Sequence, residues 1–252
     1  MARNTKLNRL YGRNSILGRL KENPKSIKKL LIEKDIRAGD VEQICKSENI
    51  PVCYVPEREF NNISGDIRAQ GIIAEVEHFR YASFEDVLDK SLENLPVILF
   101  LDNLNDPQNL GGILRSAACF GGFAVVLPKY DSVEVTDAVL RVAQGGENYV
   151  PACQVNNLSW AIETAKKAGY WIAGAVVEAG EDLTGVRLNF PLGLVIGSEA
   201  KGIRQGLLKH LDLKLTIPMQ KTKLSFNVSI ATALFCYEVY RQRKKVTKEA
   251  QE

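Results

Sequence analysis

Short apolar runs punctuate the last two thirds of the chain, at 97–101, 123–127, 171–177, 192–196 and 213–217. The first, Val97-Ile98-Leu99-Phe100-Leu101, has no polar position at all, the pattern of a parallel strand covered on both faces. Segments with helical spacing alternate with these runs, at 110–120, 135–143, 158–168, 203–210 and 225–243. In the first of them Leu110, Ile113, Leu114, Ala117 and Ala118 form one apolar stripe. Strand and helix in alternation predict an α/β domain with a largely parallel sheet. Ligands of such sheets bind beyond the carboxyl ends of the strands. The polar loops after Leu101, Val177, Ile196 and Ile217 are therefore the places to look for chemistry.

The first third reads differently. Residues 11–20, 27–32 and 41–48 have helical spacing, 51–55 reads as a short strand, and 69–76 closes with a second. This predicts a small α/β module over residues 1–76. Residues 77–94 are polar with one helical patch, and serve either as a linker or as an early helix of the larger domain at 95–252.

Composition narrows the class. The 252 residues are 45% hydrophobic and 25% charged, ordinary for a soluble globular protein with ample core. No run approaches the roughly 18 unbroken apolar residues of a membrane helix, and the basic N-terminus lacks an apolar signal core. A cytoplasmic protein is expected. Cysteines at 45, 53, 119, 153 and 236 are odd in number and form no CxxC pair, so they read as reduced thiols, mostly packing. His78 and His210 have no companion at metal-ligand spacing, and no metal site is expected. The formal charge of +3 is unevenly spread. Residues 1–40 hold eleven Lys/Arg against four acids, and the tail adds Arg241, Arg243, Lys244, Lys245 and Lys248. Basic ends on a near-neutral body suit a nucleic-acid surface, and equally a solvated face with a frayed tail.

Three loops carry candidate chemistry. In the first, Asn109 stands before the stripe of residues 110–120 as a helix cap, and Arg115 lies beside that stripe. Gly111-Gly112 weakens the helix start by about 1 kcal/mol per glycine, which makes sense where a backbone or a ligand approaches closely. In the second, Ile196-Gly197-Ser198-Glu199-Ala200-Lys201-Gly202 ends a strand in a glycine that admits a flat ligand and an acid for a hydroxyl or cation. In the third, Ile217-Pro218-Met219-Gln220-Lys221-Thr222-Lys223-Leu224-Ser225-Phe226-Asn227 is a basic loop leading into a helix, with Ser225 as its cap.

In this order and spacing the three segments resemble the motifs of the SpoU/TrmH family of RNA ribose 2′-O-methyltransferases, part of the SPOUT class. The resemblance covers residues of about 97–243. The first segment is similar to the small RNA-binding domain, related to ribosomal protein L30e, that precedes the catalytic domain in many members. Tyr11 to Ile16 and Gln70-Gly71-Ile72 match its start and end. Val155-Asn156-Asn157-Leu158 fits the branch that methylates a guanosine of large-subunit (23S-type) ribosomal RNA. The resemblance implies an α/β knot, with the C-terminal part of a mostly parallel sheet tied into a deep trefoil. It also implies S-adenosyl-L-methionine as cofactor, RNA as substrate and a homodimer through the knotted domain. Periodicity alone predicts an ordinary open sheet, since knots are almost absent from proteins. The turn after Leu101, Asp102-Asn103-Leu104-Asn105, lacks the glycines of a dinucleotide-binding turn and agrees with the family.

The family's roles carry over position by position. Arg115 would activate the ribose hydroxyl, either removing its proton or only orienting it with a substrate phosphate, given that arginine is a poor base. Asn109, Glu199, Ser225 and Asn227 are the other active-site residues. Gly197, Ile217 and Phe226 are cofactor contacts, with Ile196, Met219 and Gly174 as pocket neighbours. Three positions depart from the family: Phe226 replaces a leucine, Lys221 a glycine, and Gln144 a smaller residue. None removes a catalytic side chain. The rival readings are a transfer-RNA methyltransferase and a non-catalytic RNA-binding or ribosome-assembly factor that keeps the fold.

Overall fold

The computed structural model describes residues 7–92, 97–199, 201–220 and 224–249, without the side chains of 90–92 and 247–249. The first module runs β1 (Asn8–Tyr11), α1 (Arg13–Glu22), β2 (Ile27–Glu33), α2 (Gly39–Ser47), β3 (Val52–Val55), α3 (Glu57–Ser64) and β4 (Ile72–Val76). Its sheet has the order β1-β4-β2-β3, antiparallel except for the β2–β3 pair. Residues 27–32, expected as helical, are strand β2. Ile27, Leu30 and Leu31 mimic a helical stripe, but a seven-residue segment is short for a helix and here is gripped between β3 and β4. The four-residue strand β1, whose Tyr11 reads as the start of the following helix, and the helix α3, with only Phe60 and Ile63 as large apolar residues, were not expected.

A helix, α4 (Phe84–Leu92), occupies much of the polar segment 77–94. It packs Phe84, Val87 and Leu88 into the core of the second sheet. That sheet is built from β5 (Val97–Leu101), β6 (Phe123–Pro128), β7 (Ala152–Val155), β8 (Trp171–Ala175), the two-residue β9 (Glu181–Asp182), β10 (Leu192–Ile196) and β11 (Leu213–Thr216). The helices are α5 (Pro107–Phe120), α6 (Asp137–Ala143), α7 (Leu158–Lys167), α8 (Gln205–Leu208) and α9 (Val228–Glu249). Strand order is β7-β6-β5-β10-β8-β11-β9, with parallel pairing throughout.

Period-two alternation explains the unbroken apolar runs. Val97, Leu99 and Leu101 face a core shared with Leu110, Ile113 and Leu114 of α5, while Ile98 and Phe100 face Leu158, Ala161 and Ile162 of α7. Each such fully buried side chain contributes about 1.5–3 kcal/mol. The first of these cores continues into the N-terminal module through Leu10, Ile16 and Leu20. The modules are also joined by polar contacts. Asn8 Nδ2 and Arg9 N donate to Asp137 Oδ1 at 2.5 and 3.0 Å, and Arg19 pairs with Glu147 at 3.0 Å with both side chains buried.

Two expected caps shift. The helix α5 begins at Pro107 and is capped by Asp106, which accepts from Gln108 N at 2.8 Å, so Asn109 lies inside the first turn. The helix α9 begins at Val228, three residues beyond Ser225, because Asn227 Oδ1 accepts from Ser229 N at 2.9 Å and takes the capping role. The expected helix at 203–210 shrinks to the four residues of α8. Arg204 N is engaged by Asp102 Oδ2 at 2.8 Å, which holds the lead-in extended.

Burial raises the thiols of Cys45 to about 11 and of Cys153 and Cys236 to about 12, so these three are packing groups, whereas Cys53 and Cys119 are exposed. Part of the tail's charge is structural. Arg243 donates to Gly121 O and Gly122 O at the end of α5 and stacks on Phe123, and Arg241 pairs with Glu238. Among the described residues no helix is long and apolar enough to cross a membrane, and no cluster of His, Cys, Asp and Glu is placed to hold a metal.

Candidate active site

The carboxyl ends of β5, β10 and β8 lie level, with Leu101 beside Ile196 and Ile196 beside Ala175. The loops that follow them therefore emerge on one edge. There Asn109 from α5, Glu199 from the loop after β10 and Asn227 before α9 meet in a closed triangle. Asn227 Nδ2 donates to Asn109 Oδ1 at 2.9 Å and also to Glu199 Oε1, and Asn109 Nδ2 donates to Glu199 Oε1 at 3.3 Å. Val228 N adds a donor to the same oxygen at 3.1 Å. The carboxylate thus caps the positive end of a 22-residue helix as it ties three distant segments together. Glu199→Gln keeps the shape but replaces one acceptor oxygen with a donor amide. It is expected to cost about 1–2 kcal/mol of stability, read by thermal unfolding.

Beside the triangle lies a cavity of about 470 Å³. Ile196, Gly197, Glu199, Ile217, Met219, Ser225 and Phe226 line it, together with Val176, Val177 and Phe235. Phe226 and Met219 stand at its rim, 40% and 37% exposed, so the phenyl ring in place of the family's leucine widens the apolar wall without closing the mouth. Gly174 is not part of this wall. Leu211 and Ile203 cover it, and a Cβ there would come within 2.4 Å of Leu211.

The protein's own chain leaves no room for a side chain at Gly111 or Gly197, and Gly197 lines the cavity through its backbone as well. A Cβ on Gly197 would lie 2.1 Å from the carbonyl carbon of Gly202, because the loop folds back on itself with Gly202 N donating to Ser198 O at 2.8 Å. Gly111 is pressed by Val142 and Val139 of the α6 helix, and Gly112 by Ser229 of α9. Arg115 is six residues beyond Asn109, about 9 Å along the helix. It is exposed, its side chain has no hydrogen bond or ion pair among the described residues, and it lies outside the lining of the cavity. Its backbone is seated against Gly146, where a Cβ would come within 2.9 Å of the Arg115 Cα. Gln144 takes a left-handed conformation, φ 50°, at the end of α6, which accounts for the usual preference for a smaller residue. Lys221 lies outside the described residues.

Sequence reasoning passed over one pair. Asp102, fully buried at the end of β5, accepts from Arg204 N and, at 2.6 Å, from Arg204 Nε. An acid directly after an unbroken apolar strand was the available signal.

Comparison with known proteins now decides the assignment. Residues 96–237 match the SpoU rRNA methylase family, more than half of the chain. The chain belongs to the SpoU methylase family. Residues 9–82 match the RNA 2′-O ribose methyltransferase substrate-binding family. A putative TrmH family tRNA/rRNA methyltransferase, YacO of Bacillus subtilis, is 34% identical over 242 residues, 94% of this chain and 96% of its own. The 23S rRNA (guanosine-2′-O-)-methyltransferase RlmB of Nitrosomonas europaea is also 34% identical, across 94% of this chain and 93% of its own. Among solved structures, a putative RNA methyltransferase of the TrmH family from Porphyromonas gingivalis superposes with a TM-score of 0.74 at 26% identity, covering 93% of this chain and 90% of that one. The SpoU methyltransferase AviRb from Streptomyces viridochromogenes, solved with AdoMet, has the same fold at 20% identity, with a TM-score of 0.77 over 94% of this chain and 90% of its own.

Proposed function

We propose that this SpoU-family chain methylates a ribose 2′-hydroxyl of RNA with S-adenosyl-L-methionine, and that its substrate is a guanosine of large-subunit ribosomal RNA. The observation that carries the reading is the triangle of Asn109, Glu199 and Asn227, which draws one residue from each of the three motifs together beside a cavity that Glu199 lines. A cavity lined jointly by the second and third motifs, through Gly197, Glu199, Ile217, Ser225 and Phe226, favours an enzyme that holds a cofactor over a protein that only binds RNA. The ribosomal substrate is favoured over transfer RNA by the match of residues 9–82 to a substrate-binding family and by RlmB-named relatives along nearly the whole chain.

The cavity's chemistry fits the cofactor. Ile196, Ile217, Met219 and Phe226 offer apolar walls for a purine, and Glu199 offers an acceptor at the mouth. When bound, S-adenosyl-L-methionine supplies an electrophilic methyl group on a sulfonium. The protein's part is to present the hydroxyl oxygen in line with that methyl and to take up or direct its proton. Asn109, locked by Asn227 and Glu199, fixes one wall of the approach. Arg115, unencumbered by any partner among the described residues, is the group that meets the ribose and its phosphate.

The same reading assigns substrate binding to residues 1–76 and chemistry to 95–252, joined across 77–94, in a cytoplasmic protein. The return of α9 to pack along α5, after β11 has been laid outside β8, supports the knotted threading expected of the family. A homodimer is supported by α9 as well. Ile230, Leu234 and Tyr237, spaced four and three apart, present one apolar stripe at 52%, 37% and 53% exposure. Light scattering is expected to give the mass of two chains at micromolar concentration, and a monomer there would contradict it.

A further inference from the structure

A second cavity, of about 370 Å³, opens on the same edge of the sheet at the ends of β5, β6 and β7. Its floor is apolar and buried, made by Pro128, Leu158 and Leu207. Its rim carries Asn103, Tyr130, Asp131, Asn156, Asn157 and Arg204. The side chains of Asn103, Tyr130, Asp131 and Asn156 make no hydrogen bond or ion pair among the described residues, although they crowd one opening. Tyr130 is 67% exposed, a large aromatic surface held out over an apolar floor. Lys129 sits 5.8 Å from the centre of its ring.

Arg204 is prepared for a ligand. The buried Asp102 takes its backbone N–H and its Nε, which fixes the plane of the guanidinium, and the side chain remains 51% exposed. The two terminal nitrogens have no partner among the described residues, which leaves a two-pronged donor set of the kind that suits a phosphate. The segment bearing Arg204 is also the wall between the two cavities. Ile203, Gln205 and Leu208 line the first, and Arg204, Gly206 and Leu207 line the second.

We propose that this second cavity takes an unstacked guanine nucleotide of the RNA, its base lying on Tyr130 over the apolar floor and its phosphate on Arg204. An aromatic face and an apolar floor with amides around it fit a nucleobase. Asp131 selects among bases. An ionised carboxylate only accepts, and guanine is the standard base with two adjacent donors on its pairing edge. Adenine and cytosine would set a ring acceptor against the carboxylate. The Val155-Asn156-Asn157-Leu158 segment, which the three catalytic motifs leave without a role, thereby gains one as the amide side of the cavity. The proposal rests on the reading that the protein acts on RNA.

The test uses Tyr130 and Asp131, both exposed, because loss of Arg204 would leave Asp102 buried without its cation. With the full-length protein and ribosomal RNA, Tyr130→Ala is expected to raise KM for RNA about tenfold, the order one base–aromatic stack contributes, with kcat and the KM for S-adenosyl-L-methionine unchanged. Tyr130→Phe should restore the wild-type KM. In a separate titration followed by NMR, the wild type should bind GMP in preference to AMP, CMP and UMP, and Asp131→Asn should lose that preference. An unchanged KM in Tyr130→Ala overturns the cavity's role, and equal binding of the four nucleotides overturns the assignment of guanine. If the wild type methylates no RNA at all, the proposed function has failed, and the nucleotide titration decides the cavity alone. Saturable GMP binding abolished by Tyr130→Ala then supports it, and no binding up to about 10 mM rejects it.

Discussion

Arg115→Ala is expected to lower methyl transfer to RNA by about 10²–10⁴-fold, the range that a positioned proton-handling group supplies. Stability should stay within about 0.5 kcal/mol of the parent. The separation of the two effects follows from the position of the side chain. Arg115 is exposed on α5, its side chain bonds to nothing among the described residues, and alanine is the better helix former. Affinity for S-adenosyl-L-methionine should also hold, because Arg115 is absent from the lining of the cavity that fits the cofactor. Single-turnover transfer, thermal unfolding and cofactor titration on the same preparation would check all three. Full turnover in the variant would remove Arg115 from the mechanism and leave the cofactor site standing.

Arg19→Met should have the larger effect on stability. Arg19 and Glu147 form a buried pair at 3.0 Å between the two modules, with side chains 8% and 0% exposed. Removing one partner of a buried pair costs about 3–5 kcal/mol, because the other charge is left without compensation. Replacing both, Arg19→Met with Glu147→Leu, should recover most of the loss, since two apolar groups need no partner. Urea unfolding of the single and double variants tests this, and a single variant within 1 kcal/mol of the parent would count against it. The consequence should reach the chemistry. Glu147 belongs to the turn 146–148, and Gly146 of that turn is the residue packed on the Arg115 backbone. Loosening the first module should therefore lower turnover more than it lowers cofactor affinity.

Strands β5, β6 and β10 of the larger domain were legible in the sequence because they are buried on both faces and appear as unbroken apolar runs, whereas β7, interrupted by Gln154, and the exposed two-residue β9 gave no run to read. The smaller module was harder to read. Its strands β1 and β2 carry Arg9, Lys28 and Lys29 on open faces, which breaks the run and leaves only spacing, and spacing over six residues does not separate helix from strand. At the site, the residues that converge could be named because the three motifs name them. Their geometry could not. Asn109 reads as a cap, yet Asp106 and Pro107 start the helix earlier and free its amide to join Glu199 and Asn227. Gly197 reads as room for a ligand, yet a Cβ is excluded by the returning backbone at Gly202, while the residue also lines the cavity. In both cases a contact across the sequence decides a role that local pattern leaves open.

The central claim, that this site moves a methyl group to a ribose hydroxyl of ribosomal RNA, is tested most directly by mapping 2′-O-methyl nucleotides in total RNA from cells with and without the gene. The account predicts the loss of one 2′-O-methylguanosine from large-subunit RNA, restored by the wild-type gene and not by Arg115→Ala. An unchanged map, or a loss confined to transfer RNA, would contradict it.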